Sequence, residues 1–109
     1  MFDSHVNSYV RFRWALTEAE PAIKVYDQDT WAPLPEARSA PVELSLACLE
    51  TLHARWILML RALSPADLAW TIRHSEIGAI NLDDMLQIHA WHWRHHTAHI
   101  TGLRVREGW

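Results

Sequence analysis

The sequence contains little cysteine and little glycine. Among its 109 residues one is a cysteine, Cys48, and three are glycines. A single cysteine excludes an internal disulfide bond and suits a reducing compartment, so we expect a cytoplasmic protein. Cys48 lies in a stretch rich in alanine and leucine, and we expect it to be a buried, small apolar residue rather than a nucleophile. The sequence also has no Gly-rich phosphate loop, no G-x-S-x-G elbow and no C-x-x-C pair.

Excess positive charge and long apolar runs are missing as well. Ten Lys and Arg residues stand against 13 Asp and Glu residues, and the formal net charge is -3. Because no basic stripe is present, we do not expect a nucleic-acid partner. No apolar run approaches the roughly 20 residues of a membrane span, so we expect no membrane partner. The charged residues near the start of the chain are unlike a secretory signal.

Histidine and tryptophan are abundant, with eight and seven residues respectively. Five of the histidines fall in the segment 89–99: His89, His92, His95, His96 and His99. In a helix, which turns by about 100° per residue, they would share one face, with the pairs His92/His96 and His95/His99 one turn apart. Two imidazoles at that spacing can reach one cation. The segment therefore predicts a metal-binding helix, and the spacing alone leaves open which pair binds.

Apolar periodicity predicts three substantial helices, over residues 3–20, 41–63 and 81–105. In the first, His5 shares a buried seam with Tyr9, Phe12 and Leu16, which makes it the candidate for a third ligand. In the second, His53 is the one polar interruption of an apolar seam. It is either a core histidine with its hydrogen bonds satisfied or a group acting beside the metal.

The connections have few periodic features. Residues 21–40 are rich in proline and predict a loop of irregular structure, in which Trp31 can cover the site. Residues 64–67 form a capping box that starts a short turn, and 70–80 predict an extended connection or a small hairpin. We expect one domain, 1–109, whose helices run antiparallel to one another, and a four-helix bundle is the natural place for ligands on facing helices.

Three segments together resemble the DinB/YfiT-like family of metal-dependent enzymes. They are Asp-Ser-His-Val-Asn-Ser-Tyr at 3–9, Leu-His-Ala-Arg-Trp at 52–56, and the His-rich segment at 90–100. The histidine-rich segment is the most specific of the three. The likeness is closest to the YfiT branch and runs over essentially the whole chain.

The resemblance implies an all-α four-helix bundle, here with three main helices and a long Pro-rich loop, that is often a homodimer. It also implies one divalent metal per chain, zinc in the first place and nickel as the alternative. The family's ligands are one histidine on an early helix and an H-x-x-x-H pair on the last. Carried over residue by residue, they fall on His5, His92 and His96.

Members of the family have a further segment, including the first helix of the bundle, ahead of the Asp-Ser-His motif. Here His5 lies close to Met1. We therefore expect either a shortened form or a chain that pairs its open face with another subunit, with His5 near a terminus that can fray.

The function expected from this resemblance is that of a metal-dependent hydrolase acting on a small molecule. Three histidine ligands leave a metal position open, and such a metal lowers the pKa of water to about 7 or binds a thiol as thiolate. A thiol S-transferase that uses a low-molecular-weight thiol is the close alternative. His53, His95 and His99 are the predicted catalytic residues, which would move protons or orient a ligand.

Two further expectations complete the prediction. Trp31, Trp91 and Trp93 are expected to line the substrate pocket. The alternative from another functional class is a non-enzymatic helical module that dimerises and holds at most a structural metal.

Overall fold

Three long helices form the frame of the protein. The structure, a computed structural model, describes every residue from Met1 to Trp109. The long helices are α1 (Phe2–Thr17), α4 (Val42–Arg61) and α5 (Leu82–Glu107). The smaller elements are β1 (Ala22–Ile23), α2 (Gln28–Trp31), α3 (Pro35–Ser39), a 3-10 turn (Asp67–Ala69), β2 (Thr71–His74) and β3 (Gly78–Asn81). The expected mostly helical fold with three main helices is confirmed.

The helix ends follow from local sequence chemistry. The Asn81 side chain accepts a hydrogen bond from the Asp84 N–H at 2.8 Å and so caps the start of α5. Gly108 ends the same helix with φ of 71°, a left-handed conformation that costs glycine little. The predicted capping box is present, because the Asp67 carboxylate accepts from the Ser64 N–H at 2.8 Å and the Asp67 N–H donates to the Ser64 hydroxyl at 3.3 Å.

The prediction of an irregular loop over 21–40 was wrong. This segment contains the two-residue strand β1 and the short helices α2 and α3. Asp27 caps α2 by accepting a hydrogen bond from the Asp29 N–H at 3.0 Å, and Pro35 occupies the first turn of α3. Such short elements depend on caps and on partners distant in the sequence. They are too short to have a hydrophobic periodicity from which they could be predicted.

The predicted hairpin is present and belongs to a small sheet. Strands β2 and β3 pair antiparallel with Ile72 opposite Ile80, and β1 pairs parallel to β2, giving the order β1-β2-β3. Gly78 begins the return strand with φ of 77°. The sheet covers one side of the helical frame and is a minor part of the fold.

Helices α1 and α4 run parallel, contrary to the expected antiparallel arrangement. The Tyr9 hydroxyl accepts a hydrogen bond from Arg55 at 3.2 Å, while earlier in both helices Phe2 and Cys48 line one surface depression. The residue numbers therefore rise together along the two helices. The segment 18–41 is long enough to return the chain to the starting end of the frame, which a short loop cannot do. Helix α5 runs antiparallel to α1, since His5 contacts His89 while Phe12 shares a core cluster with Met85.

The core joins α1, α4, α5 and the sheet. Its buried members are Phe12, Ala15, Ile23, Trp56, Ile72, Leu82 and Met85. The rings of Phe12 and Trp56 meet edge to face at 5.4 Å. This cluster fixes the spacing of α1 and α4 one to two turns away from His5.

Beyond the core, α4 and α5 extend past the start of α1. The radius of gyration is 15.7 Å, above the roughly 13 Å of a compact domain of this length. Only 9 of 109 residues are buried, so the start of α4 and the end of α5 expose apolar side chains, among them Val42, Leu46, Ile100 and Leu103. No helix combines the length and the apolar character that crossing a membrane requires.

Phe12→Ala should be strongly destabilising, because the fully buried ring would leave a cavity beside Trp56. We expect the free energy of unfolding to fall by about 3–5 kcal/mol, measured by urea denaturation. Val105→Ala, at a position 83% exposed near the end of α5, is the control and should change stability by no more than about 0.5 kcal/mol. Similar small effects of both substitutions would contradict the assigned core.

Candidate metal centre

His5 is the centre of the histidine cluster. It lies on the buried seam of α1, its exposed fraction is 0%, and it is the one buried polar residue of the protein. The Nδ1 atom of His5 lies 2.7 Å from Nε2 of His53 on α4. Each imidazole must therefore use one nitrogen as donor or acceptor in this bond, and the adjacent rings stack with centroids 4.9 Å apart.

His89 completes an inner group with these two residues. One nitrogen from each of His5, His53 and His89 lies within 4.8 Å of the other two. The His89 ring meets His5 edge-on at 4.7 Å, and its other side packs against Trp56 at 4.4 Å. The inner group is thus a set of three imidazoles from three different helices.

His92 and His96 form a second group one turn apart on α5. Their Nε2 atoms are 2.9 Å apart, and the His92 ring centroid lies 6.2 Å from that of His5. The Nε2 atom of His5 is buried and has no hydrogen-bond partner. His5 therefore has one ring nitrogen engaged by His53 and the other without a hydrogen-bond partner, and its ring lies beside that of His92.

The protein environment favours neutral imidazoles in this cluster. Burial, followed by the neighbouring histidines, lowers the pKa of His5 to about 3, and burial lowers the pKa of His89 to about 4. Burial also lowers the pKa of His53, His92 and His96. Because only a neutral imidazole has a lone pair for a metal, the cluster is in the correct protonation state for ligation near neutral pH.

His95 and His99 lie outside the buried cluster. Both are exposed, and their rings are 4.2 Å apart on the outer side of α5. His95 stacks on Trp91 at 4.6 Å. Of the predicted catalytic residues, the structure thus places His53 against His5, and His95 and His99 near His96 at the solvent side.

The structure agrees with the predicted positions of two tryptophans and differs from those predicted for Trp31 and Cys48. Trp93 packs against His5 at 5.4 Å and Trp91 lines a cavity that reaches His92. Trp31 does not cover the site, because it packs on Tyr26 at the outer side of α1. Cys48 was expected to be buried and is exposed, since it lies in a surface depression where α1 begins, with Phe2 and Val6 beside it.

Sequence reasoning did not assign a site role to His89, although the residue belongs to the recognised histidine face. Its position three residues before His92 was the available signal. Selecting it would have required knowing that Trp56 and His5 enclose it from two other helices.

With the geometry established, comparison with known proteins decides the family. The family model of the DinB superfamily matches residues 3–100. The chain belongs to the DinB superfamily. The match includes all eight histidines of this DinB-superfamily protein, and the family resemblance read from its motifs is confirmed.

Close relatives carry names that refer to metal. The chain is 50% identical over 107 residues to proteins of Bacillus mycoides (strain KBAB4) and Bacillus cereus (strain 03BB102), each named "Putative metal-dependent hydrolase". These alignments cover 98% of this chain and 61% of each relative, so the chain spans about three fifths of their length.

A solved structure has the same fold over this region. It is the structure of YfiT from Bacillus subtilis, described as a probable metal-dependent hydrolase with an unusual four-helix bundle topology. The superposition has a TM-score of 0.94 at 42% sequence identity and covers 99% of this chain and 62% of that one. The three long helices therefore have the arrangement of a YfiT-type bundle.

Acidification should destabilise the metal-free protein. The pKa of His5 is lowered to about 3 and that of His89 to about 4, whereas an unfolded histidine titrates near about 6.5. Below that pH the unfolded state binds protons that the folded state does not, so stability is present above pH ~6.5 and falls as the pH decreases. From pH 7 to pH 5 we expect the free energy of unfolding to fall by about 1–2 kcal/mol in total, because the two histidines interact and the partial exposure of His89 screens part of the effect.

Chelator-treated protein, unfolded by urea at several pH values, gives this dependence. His89→Gln should have a shallower slope than the parent between pH 7 and pH 5. Stability that stays constant or increases on acidification would show that these histidines are protonated in the folded state.

Proposed function

We propose that this protein is a metal-dependent hydrolase whose single divalent metal is held by His5, His92 and His96. The observation that carries the proposal is the buried Nε2 of His5, which has no protein partner although a polar atom in such a place normally has one. A metal bound there would satisfy it. The convergent Nε2 atoms of His92 and His96 support the same ligand set.

The donor chemistry fits zinc first and nickel second. Neutral imidazole nitrogens suit both ions, whereas magnesium and calcium prefer oxygen ligands. No carboxylate forms part of the cluster. Three nitrogen donors also leave a coordination position free, which is typical of catalytic rather than closed structural zinc sites.

His53 is proposed to orient His5. If the Nδ1–H of His5 donates to the Nε2 lone pair of His53, the Nε2 of His5 carries a lone pair and no proton. That tautomer is the one a metal ligand needs. The 2.7 Å bond therefore fixes the ring orientation and the proton position together.

When bound, the metal supplies Lewis acidity that lowers the pKa of a water molecule or a thiol at neutral pH. The chain's own residues then handle protons around it. His89 is neutral and can accept a proton beside His5, and His53 can take the Nδ1 proton of His5 across their shared hydrogen bond. The exposed pair His95/His99 can exchange protons between His96 and solvent. These are the roles we propose for His53, His95 and His99 as catalytic residues.

The substrate is proposed to be a small molecule, and a low-molecular-weight thiol can replace water as the nucleophile. The exposed and unpaired Cys48 is compatible with the reducing cytoplasm in which we place this activity. Hydrolysis of a small ester and conjugation of a small thiol to an aryl halide, assayed side by side with zinc, distinguish the hydrolase from the S-transferase.

The metal content of purified protein tests the proposed ligands. We expect about one zinc or nickel per chain by elemental analysis and a loss of tenfold or more in affinity in His92→Ala and in His96→Ala. His53→Ala should weaken binding less, since it removes an orienting bond and no ligand. A parent protein without tight metal binding, or unchanged binding in both α5 variants, would contradict the proposal.

Variants of the inner group distinguish the proposed ligand set from the alternative one. If His5, His53 and His89 were the ligands, His89→Ala would lose the metal and His96→Ala would retain it. We expect the reverse. Titration of the chelator-treated variants with zinc gives the answer without any assay of activity.

The exposed apolar faces of α4 and α5 favour a second proposal, that the protein forms a homodimer. The non-enzymatic alternative also assumes such a dimer. Leu46 on α4 is 58% exposed and Ile100 on α5 is 55% exposed, both on stripes that continue from the core. Apolar stripes of this kind are typical of surfaces that pack against another chain. We therefore propose that two copies pair through this end of α4 and α5.

Light scattering after size exclusion tests the pairing. The parent should have the mass of two chains, and Leu46→Glu combined with Ile100→Glu should give the mass of one. Glu76→Lys, in the exposed turn between β2 and β3 and away from the end of α5, is the control. A monomeric parent would refute the dimer. A dimer that never binds metal would favour the non-enzymatic module over the hydrolase.

A further inference from the structure

We propose that Arg11 binds the anionic group of the substrate, and that the substrate class is a small organic acid with an apolar body. This inference rests on the proposed function for the location of the reacting group. It is carried by a second cavity and by the unsatisfied guanidinium at its end.

The cavity lies between α1, the β2–β3 hairpin and α5, on the side of α1 away from the groove between α4 and α5. Its volume is about 250 Å³. His89 and His92 reach it from α5, and Arg11 reaches it from α1 two turns beyond His5. A molecule in this cavity can therefore contact the histidine cluster and Arg11 at the same time.

Arg11 is half-buried and lacks an acidic partner. The two ion pairs of the protein join Arg73 to Glu20 and Arg106 to Glu107. The Nε atom of Arg11 is buried without a hydrogen-bond partner, and one terminal nitrogen donates to the Lys24 carbonyl at a long 3.3 Å. A partly buried guanidinium without a counter-charge is costly, so an anion that satisfies Nε would bind favourably.

The surroundings of Arg11 indicate an anion rather than a structural ion pair. Burial lowers the pKa of Arg11 and raises that of Tyr26, as expected where water is partly excluded. Ser4 and Ser8 add hydroxyl groups to the same cavity, and no carboxylate lines it. The polar lining therefore offers donors for a carboxylate or phosphate. Three carboxylates line a separate depression that Arg11 also borders and form no ion pair with it: Asp27, Asp29 and Glu76.

The remaining wall is apolar and limits the size of the ligand. Ile72, Ile77 and Ile80 come from the hairpin, and Met85 and Ile88 come from α5. A volume of about 250 Å³ is below the roughly 300–1,000 Å³ of sites for drug-sized ligands. A short aliphatic or small aromatic acid matches both the volume and the lining.

The test compares hexanoate with hexanamide, which have the same shape but differ in charge, by calorimetric titration of chelator-treated protein. We expect hexanoate to bind roughly tenfold to hundredfold more tightly than hexanamide, the range of a hydrogen-bonded charge. Arg11→Gln should abolish this preference and leave hexanamide binding unchanged, which shows that the cavity persists. Arg11→Lys should retain part of it, and Arg104→Gln, far along α5, all of it.

Equal binding of acid and amide, no detectable binding of hexanoate, or a preference that survives in Arg11→Gln would each overturn the inference. The preference for hexanoate and the binding of metal are measured independently, so either proposal can fail without the other. His92→Ala is expected to lose the metal and yet retain the preference for hexanoate. Absence of metal binding with this preference intact would reject the metal-dependent hydrolase and leave the assignment of Arg11 standing.

Discussion

The site depends on one partly buried hydrogen bond, between His5 on α1 and His53 on α4. A fully buried imidazole is costly unless both nitrogens have partners, and here His53 supplies one of them at 2.7 Å. The other nitrogen, Nε2, is buried and has no hydrogen-bond partner. This free nitrogen makes the cluster a candidate metal centre rather than a polar core. The same bond requires α1 and α4 to keep their distance and register. The edge-to-face contact of Phe12 with Trp56, further along the two helices, provides that constraint.

The parallel course of α1 and α4 is what brings residues 5 and 53 together. It requires the long connection 18–41, whose short elements attach to the sheet through β1 and β2. The Pro-rich segment was expected to serve as a cover for the site. Its observed role in the fold is to return the chain, so that the start of α1 and the middle of α4 both face the histidine-rich part of α5. The hairpin then closes the opposite side and forms the wall of the cavity that contains Arg11.

Much of this could be predicted from sequence, because the determinants are local. Helical periodicity, the Asn81 cap and the capping box at Ser64 each depend on residues a few positions apart. The importance of His5 followed from its place on a seam and from the family motif. By contrast, the direction of α4, the packing of His89 between Trp56 and His5, and the exposure of Cys48 depend on which helices are neighbours. The isolation of Arg11 is of the same kind, since the absence of a counter-ion cannot be read from a sequence that contains 13 acidic residues.

The histidine cluster has two sides of different character, a cavity with polar groups on one side and an apolar groove on the other. Toward the hairpin, the cavity offers hydroxyl groups and a guanidinium to a ligand. Toward the gap between α4 and α5, a groove of about 290 Å³ is lined mainly by apolar groups such as Trp56, Ile57 and Trp93. His53 and His89 border this groove. An apolar surface packed into it would remove water from both imidazoles and lower their pKa further, because burial already lowers the pKa of each. If the proposed pairing of α4 and α5 extended over this groove, it would strengthen the neutral state that metal binding requires, and the proposed substrate cavity on the other side of α1 would remain accessible.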